Sequence, residues 1–306
     1  MELGYLRLAE RFRIVASENC CDPRHFNTPT AGGVIFIAAV LLYTVFYTPP
    51  YPWFLIGILV IGAVSFMDDI HSLPISMRLI TQFIATSLIL LQLMPLLYPV
   101  WWIVILSLII GVGIINAFNF MDGIDGITAC YSLAVLVPLW YINSSTHFIS
   151  EEFLIVASLG VLVFLFFNFR SLSRCFAGDV GAVSIAYIIV FAIAALIIKT
   201  GNFAYLTLIA VYGADTVLTI IHRIVLRENI GQRHSKHIYQ LLVYVLHIPH
   251  RLVAAGYMAL QLLVSCGMLF LPVNGYIYMA VWCVLLTLTY IILLKRFYPS
   301  DKRNSE

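Results

Sequence analysis

Residues 176–198 read Phe176-Ala177-Gly178-Asp179-Val180-Gly181-Ala182-Val183-Ser184-Ile185-Ala186-Tyr187-Ile188-Ile189-Val190-Phe191-Ala192-Ile193-Ala194-Ala195-Leu196-Ile197-Ile198. From Val180 to Ile198 there is no charge. At about 1.5 Å of rise per residue, roughly 17–25 such residues cross the hydrocarbon of a bilayer. The spacing predicts a transmembrane helix whose first turn carries a carboxylate between two glycines. Both the fold class and the chemistry follow from asking how often this pattern recurs.

It recurs along the whole chain. The protein has 306 residues, 62% hydrophobic and only 10% charged, whereas soluble domains carry about 25% charged residues. A soluble fold is excluded, and the polar stretches, none above about thirty residues, are too short for a separate domain. The chain reads as one integral-membrane domain over residues 1–306, all-α and polytopic. Cys20, Cys21, Cys130, Cys175, Cys266 and Cys283 form no CxxC pair and read as free thiols. Residues 1–30 contain Arg7, Arg11, Arg13 and Arg24 but no apolar core, so no cleavable signal peptide is expected.

Apolar runs bounded by Gly, Pro and charge predict about ten spans, near 32–48, 53–67, 78–94, 101–117, 127–143, 152–169, 180–198, 203–222, 251–271 and 275–294. Thr48-Pro49-Pro50 and Pro272-Val273-Asn274-Gly275 read as tight turns between antiparallel neighbours. With residues 1–30 inside, every basic residue of the 17 except Lys199 falls on the cytoplasmic side, the asymmetry of a multi-pass protein. Lys and Arg alone set this orientation, yet it also sorts the acids. Asp68, Asp69, Asp122, Asp125 and Asp179 land on the cytoplasmic face, and Glu151 and Glu152 lie outside.

The clusters on that face are the candidate site. Phe66-Met67-Asp68-Asp69-Ile70-His71 sets two adjacent carboxylates at the end of a span, where a charge is costly unless a cation, proton or phosphate uses it. The alternative is a solvated helix end. Asn116-Ala117-Phe118-Asn119-Phe120-Met121-Asp122-Gly123-Ile124-Asp125-Gly126 offers carboxylate and amide oxygens with glycines that let a ligand approach the backbone. The alternative is a polar turn. Arg170 to Gly181 sets Asp179 behind two arginines at a helix N-terminus; it reads as a magnesium ligand completed by substrate phosphates, or as an ordinary cap. The loop Arg227 to Gln240 packs Arg233, His234, Lys236 and His237 together, a set suited to phosphate oxygens, or a solvated basic loop. Zinc fits less well, since no cysteine accompanies the histidines. Asp215 lies within a span and is a functional candidate of undefined role. His71, His222, His247 and His250 have no motif around them and read as structural or interfacial. Carboxylates, flexible glycines and cations on one membrane face point to phosphoryl transfer on a lipid phosphate.

These motifs resemble the polyprenyl-phosphate N-acetylhexosamine-1-phosphate transferases, the superfamily that includes the phospho-MurNAc-pentapeptide enzyme. The carriers are Asp68-Asp69, the N-x-x-N-x-x-D-G-x-D-G run from Asn116, F-x-G-D-x-G from Phe176, the histidine loop and His25-Phe26-Asn27-Thr28-Pro29-Thr30-Ala31-Gly32-Gly33. The resemblance covers nearly the whole chain and implies the following. Asp179 is the magnesium ligand, with manganese as an alternative ion. Asp68 and Asp69 are the catalytic pair, which binds or deprotonates the lipid phosphate. Asn116, Asn119, Asp122, Asp125 and Phe176 form the nucleotide pocket, Phe176 stacking on uracil. Arg233, His234 and His237 contact the pyrophosphate. The expected reaction moves HexNAc-1-phosphate from a UDP-HexNAc to undecaprenyl phosphate with release of UMP, starting O-antigen, capsule or related glycan synthesis.

The expected setting is a bacterial cytoplasmic membrane, with the bilayer as partner, no nucleic acid, and a homodimer left open. UDP-GlcNAc is the first expected donor and a UDP-deoxyhexosamine the second. The loop Arg233-His234-Ser235-Lys236-His237 lacks a triple histidine, which disfavours MurNAc-pentapeptide. Ala31 and Ala182 depart from a basic residue and a Ser common in the family. Tyr5-Leu6-Arg7-Leu8-Ala9-Glu10 resembles the inner end of the family's first helix, leaving most of that helix missing. A transporter, or an inactive truncated homologue, is the reading from another class. A transporter would place acids at mid-membrane or on both faces. The CDP-alcohol phosphotransferases follow their Asp-Gly with Ala-Arg, unlike Ile124-Asp125 here.

Overall fold

The computed structural model describes residues 2–15, 28–47, 51–94, 100–229 and 235–297. Arg233, His234, Cys20, Cys21, residues 25–27 of the first loop and the turn at 48–50 lie outside the described residues. The order of helices is α1 Glu2–Phe12, α2 Val34–Phe46, α3 Pro52–Ile70, α4 Ile75–Leu93, α5 Trp101–Met121, α6 Ile127–Thr146, α7 Glu151–Asn168, α8 Gly178–Thr200, a 3-10 turn Phe203–Ile209 leading into α9 Ala210–Val225, a short α10 Ile238–Gln240, α11 His250–Phe270 and α12 Gly275–Phe297. Among the described residues the only β pairing is an isolated bridge between Val15 and Pro29. Among the described residues, nine helical stretches are long and apolar enough to cross a bilayer. The tenth expected span, α2, has 13 residues, because Gly32 and Gly33 are used in a tight approach to α8 rather than in a helix.

The helix ends follow the local sequence. Pro52 opens α3, where its missing N–H costs nothing. Ser150 accepts a hydrogen bond from Phe153 N, and Glu151 and Glu152 occupy the first turn of α7, the positive end of its dipole. Asn274 Oδ1 accepts from Tyr276 N at 3.0 Å, holding the turn into α12. The axis of the bundle is α8, with 83% of its apolar window buried, against 17% for the peripheral α12. It packs on α2, α3, α5 and α6.

A break in a membrane helix frees backbone donors that lipid cannot satisfy. At the 3-10 junction, Val211 N donates to Gln261 Oε1 at 3.2 Å and Tyr212 N to the Tyr131 hydroxyl oxygen at 3.1 Å. Tyr131 in turn donates to Gln261 Oε1 at 2.7 Å. Buried Gln261 thereby joins α6, α9 and α11, and lets α9 change direction inside the bundle.

A close backbone approach lies between Gly33, at the start of α2, and Gly181, in the first turn of α8. A methyl added at Gly33 would come 2.0 Å from the Gly181 Cα. The obstacle is backbone, so no rotamer relieves it. Gly33→Ala should lower stability by about 3 kcal/mol, read as a fall in melting temperature in detergent. Gly113→Ala, where an added methyl meets nothing within 4 Å, should be neutral or gain up to about 1 kcal/mol of helix propensity.

Candidate active site

The close approach at Gly33 serves the site. Gly32 N donates to the Phe176 carbonyl at 2.8 Å, Gly33 N to the Ala177 carbonyl at 3.0 Å, and Phe176 N to the Pro29 carbonyl at 2.9 Å. The Thr28–Gly33 loop and the Phe176-Ala177-Gly178-Asp179 segment are thus one zipped unit. Helix α1 supports it: Tyr5 donates to the Thr30 carbonyl at 2.7 Å, and the Glu2 carboxyl, pushed up to about 7 by burial, accepts from the Cys175 thiol.

Asp69 closes the unit. Its Oδ1 accepts from Asp179 N at 2.8 Å and its Oδ2 from Val180 N at 3.0 Å. A carboxylate from α3 therefore caps α8, as orphan N–H groups and the dipole at a helix start require. Gly178 has φ +70, and a Cβ there would lie 2.6 Å from Asp69 Oδ2. Glycine meets both demands at once.

The neighbouring carboxylates face each other across a guanidinium. Arg78, in the first turn of α4, donates to Asp68 Oδ2 at 2.9 Å and to Asp179 Oδ2 at 3.2 Å. Asp68 also accepts from Leu73 N at 2.6 Å. Its side chain is 6% exposed, whereas Asp179 is 30% exposed, so Asp179 is the carboxylate open to a ligand. Asn119 lines the small space beside Arg78 and Asp179. Asn116 is tied up with Gln82: its Nδ2 donates to Gln82 Oε1 at 2.6 Å and to the Val112 carbonyl at 2.8 Å. It clamps α5 to α4 one turn behind Asn119.

After α5 the chain turns through Asp122-Gly123-Ile124-Asp125-Gly126. Asp122 accepts from the Thr128 hydroxyl. Burial, then the charges of Asp69 and Asp125, push its carboxyl up to about 7. Asp125 is buried and its Oδ2 lies 3.2 Å from His250 Nδ1. The turn is pinned by Asn168, which accepts from Gly126 N at 2.6 Å and donates to the Cys175 carbonyl at 2.8 Å. A cavity of about 400 Å³ opens beside Asp125, with Arg170, His247, His250 and Arg251 on its walls.

The raised Asp122 carboxyl gives a pH prediction. As pH rises from the ordinary carboxylate range near about 4 to about 7, the unfolded chain gives up this proton before the folded one, so stability falls; above about 7 the loss is complete. Asp122→Asn removes the titration. The melting temperature of the variant minus that of the parent should therefore grow between about pH 4 and about pH 7. A constant difference over that range would contradict the assignment.

The histidine loop returns to the same end. Glu228 bridges Arg223 and Lys236, and its carboxyl is held below the usual range first by the hydrogen bond from Lys236. His237 is buried, with Nδ1 3.3 Å from Asp215 Oδ1. Beyond it, α10 runs into a π-helical turn Leu241–Val245, and Tyr239 donates to the Phe120 carbonyl at 3.0 Å. The His237 ring lies 6.3 Å from that of Phe120.

The structure therefore gathers Asp68, Asp69, Asn119, Asp122, Asp179 and the Phe176 segment around α3, α4, α5 and α8. Asp125 and His237 flank this group, and Asn116 stands behind it. Arg233 and His234 are outside the described residues. Sequence reasoning missed Arg78, whose signal was a lone arginine at the mouth of a span. It also set aside His250, whose partner is 125 residues away. Among the described residues no three His, Cys, Asp or Glu side chains form a ready metal cage.

Fold and site define a polytopic helical membrane protein with a carboxylate-rich polar centre at one end of its bundle. The family model "Glycosyl transferase family 4" matches residues 51–199. The phospho-N-acetylmuramoyl-pentapeptide-transferase of Heliobacterium modesticaldum is 30% identical over 228 residues, 65% of this chain and 69% of that protein. The chain belongs to glycosyl transferase family 4. The enzyme of the same description from Thermotoga neapolitana is 30% identical over 181 residues, 52% of this chain and 57% of its own length. A probable undecaprenyl-phosphate N-acetylglucosaminyl 1-phosphate transferase of Bacillus subtilis is 29% identical over 163 residues, 51% of this chain and 42% of its own length. The chain spans little more than half the length of the Thermotoga relative.

Proposed function

We propose that the protein transfers a hexosamine-1-phosphate from a UDP-sugar to a polyprenyl phosphate at the cytoplasmic face of a bacterial inner membrane, releasing UMP. The observation that carries this reading is the convergence of Asp68 and Asp179, from separate helices, on one guanidinium at 2.9 and 3.2 Å. The carboxylates supply hard oxygens already oriented around a positive charge. Magnesium usually takes one or two carboxylates and completes its shell with substrate phosphates, so the donor set fits the ion without a protein cage. Asp179 and Asp68 would hold it, and when bound it would neutralise charge on the pyrophosphate oxygens.

In the reaction an oxygen of the lipid phosphate attacks the β-phosphorus of the UDP-sugar. A new P–O bond forms, the bond from that phosphorus to the bridging oxygen breaks, and UMP leaves with the bridging oxygen and its electron pair. A phosphate monoester has its second pKa near about 6, so the nucleophile is largely ionised at neutral pH. The protein's task is therefore positioning and charge compensation. Arg78 lies where it can pass from the carboxylates to a phosphate, Asp69 fixes α8 and with it Asp179, and Asp122, Asp125, Asn119 and Phe176 are the nucleotide side. His234, Arg233 and His237 complete the pyrophosphate contacts. The basic residues, all but Lys199 on the same side in the ten-span threading, support the cytoplasmic orientation.

The donor is UDP-GlcNAc in the first reading and a UDP-deoxyhexosamine in the second, serving O-antigen, capsule or a related glycan. The names of the Heliobacterium and Thermotoga relatives make UDP-MurNAc-pentapeptide the rival, against which the absence of a triple histidine counts. Purified protein with undecaprenyl phosphate and Mg²⁺ should be offered each radiolabelled donor separately, following UMP and labelled lipid. Label in lipid from a UDP-HexNAc is the expected result. Label only from UDP-MurNAc-pentapeptide would overturn the donor, and no product from any donor in folded protein would overturn the reaction.

A further inference from the structure

Asp215 has a defined position in the structure. It is a carboxylate inside α9, 5% exposed, in a bundle where a lone charge is costly. Its Oδ1 accepts from Ile238 N at 3.0 Å and from the Thr219 hydroxyl at 3.3 Å. Its Oδ2 accepts from the Tyr257 hydroxyl at 2.7 Å, and Tyr290, on α12, donates to Thr219 at 3.1 Å. The remaining neighbour is His237 Nδ1 at 3.3 Å, on a side chain that is 2% exposed. Three helices thus hold one carboxylate against one imidazole and against the backbone of the next residue.

We propose that Asp215 is the positioning residue of His237, setting its tautomer and its ring orientation toward the phosphate-binding side of the site; this rests on the transferase reading above. A carboxylate only accepts, so the nitrogen facing it, Nδ1, carries a proton. The variable position is then Nε2, as acceptor in the neutral ring or as donor in the imidazolium. A second partner on the other nitrogen is how proteins select between these states. The His237 ring is placed against Phe120, inside the run that carries Asn119 and Asp122, so a rotation of the ring is felt at the nucleotide side of the site. Tying Ile238 N to the same oxygen fixes the backbone as well as the ring. A purely structural tie would need the backbone bond alone.

The test uses Asp215→Asn in the full chain. The amide keeps the shape; with its nitrogen in the place of Oδ1 it still accepts from Tyr257, gives up the bond from Ile238 N, and presents N–H to Nδ1, which reverses the tautomer. With a donor that turns over, kcat should fall by on the order of a hundredfold with little change in KM. His237→Ala should lose a similar factor, and the double variant should lose no more than His237→Ala alone, as coupled residues do. Tyr257→Phe, which removes a strut but leaves the carboxylate, should keep most activity. Independently of turnover, ¹⁵N spectra of histidine-labelled protein should show His237 protonated at Nδ1 in the parent and at Nε2 in Asp215→Asn. Multiplicative losses in the double variant, or an Nε2–H parent ring, would overturn the proposal. Should the parent release no UMP from any donor, the transferase reading fails while the ¹⁵N spectra still decide the dyad.

Discussion

Asp179→Asn is expected to abolish metal-dependent turnover, by on the order of a thousandfold or more, without unfolding the protein. The separation of the two effects comes from the geometry. Asp179 contributes its backbone N–H to the cap that Asp69 makes on α8, and that bond survives the substitution. Its side chain meets Arg78 and shares a hydrogen bond with the Asp68 carboxyl, contacts an amide can keep, and it remains 30% exposed, so little packing is lost. What disappears is the negative charge and one hard oxygen facing the site. The melting temperature in detergent should stay within about 3 °C of the parent, while UMP release falls to the level found after chelation with EDTA. Near-parental rates at saturating Mg²⁺ would sink the metal assignment. A large fall in melting temperature with proportionate loss of activity would recast Asp179 as part of the cap.

This distinction between two neighbouring carboxylates was not legible in the sequence. Asp68-Asp69 reads as a pair, and the resemblance assigns the pair one role. In the helix their side chains diverge by about 100°. One meets Arg78 and the other reaches the N–H groups of α8, 110 and 111 residues away. Long-range pairs of this kind have no periodicity to reveal them. The same holds for Asp125 with His250 and for Asp215 with Tyr257.

What periodicity does carry was readable. Each of the ten apolar runs became helix, one of them opening with a 3-10 turn, because a run so poor in charge has no better solvent than lipid. The differences are at the ends. Helix α5 runs past the expected end at 117, through Asn119 to Met121. Helix α3 continues to Ile70, so the Asp pair belongs to its last turn. The stretch Arg227 to Gln240 reads as a loop, yet from Ile238 a short helix runs through the π-helical turn to Val245, and its Tyr239 seals it against Phe120. It is too short to stand out from the polar residues on either side. Helix α1 is docked against the zipped unit through Tyr5 on Thr30 and Glu2 on Cys175.

Arg78→Met should separate charge compensation from catalysis in the opposite sense to Asp179→Asn. Arg78 now neutralises Asp68 and Asp179 together, which means that it competes with any divalent ion for the same oxygens. Removing it leaves the two carboxyls, already within hydrogen-bond reach of each other, without its guanidinium, and like charges at that distance repel. The apo protein should therefore lose stability, and Mg²⁺ should restore more of it in the variant than in the parent, by mass action on the folded state. Apparent Mg²⁺ affinity should tighten, by about tenfold. Turnover should nonetheless fall by on the order of a hundredfold, because in the proposed reaction the Arg78 guanidinium would compensate charge on the transferring phosphoryl group. Arg78→Lys should recover part of the rate but not the bridge, since an ammonium is a point charge and lacks the planar fork. The discriminating measurement is a Mg²⁺ titration of both melting temperature and UMP release. A variant with weaker Mg²⁺ binding would place Arg78 outside the metal site, and one with unchanged turnover would leave it only a structural bridge between α3, α4 and α8.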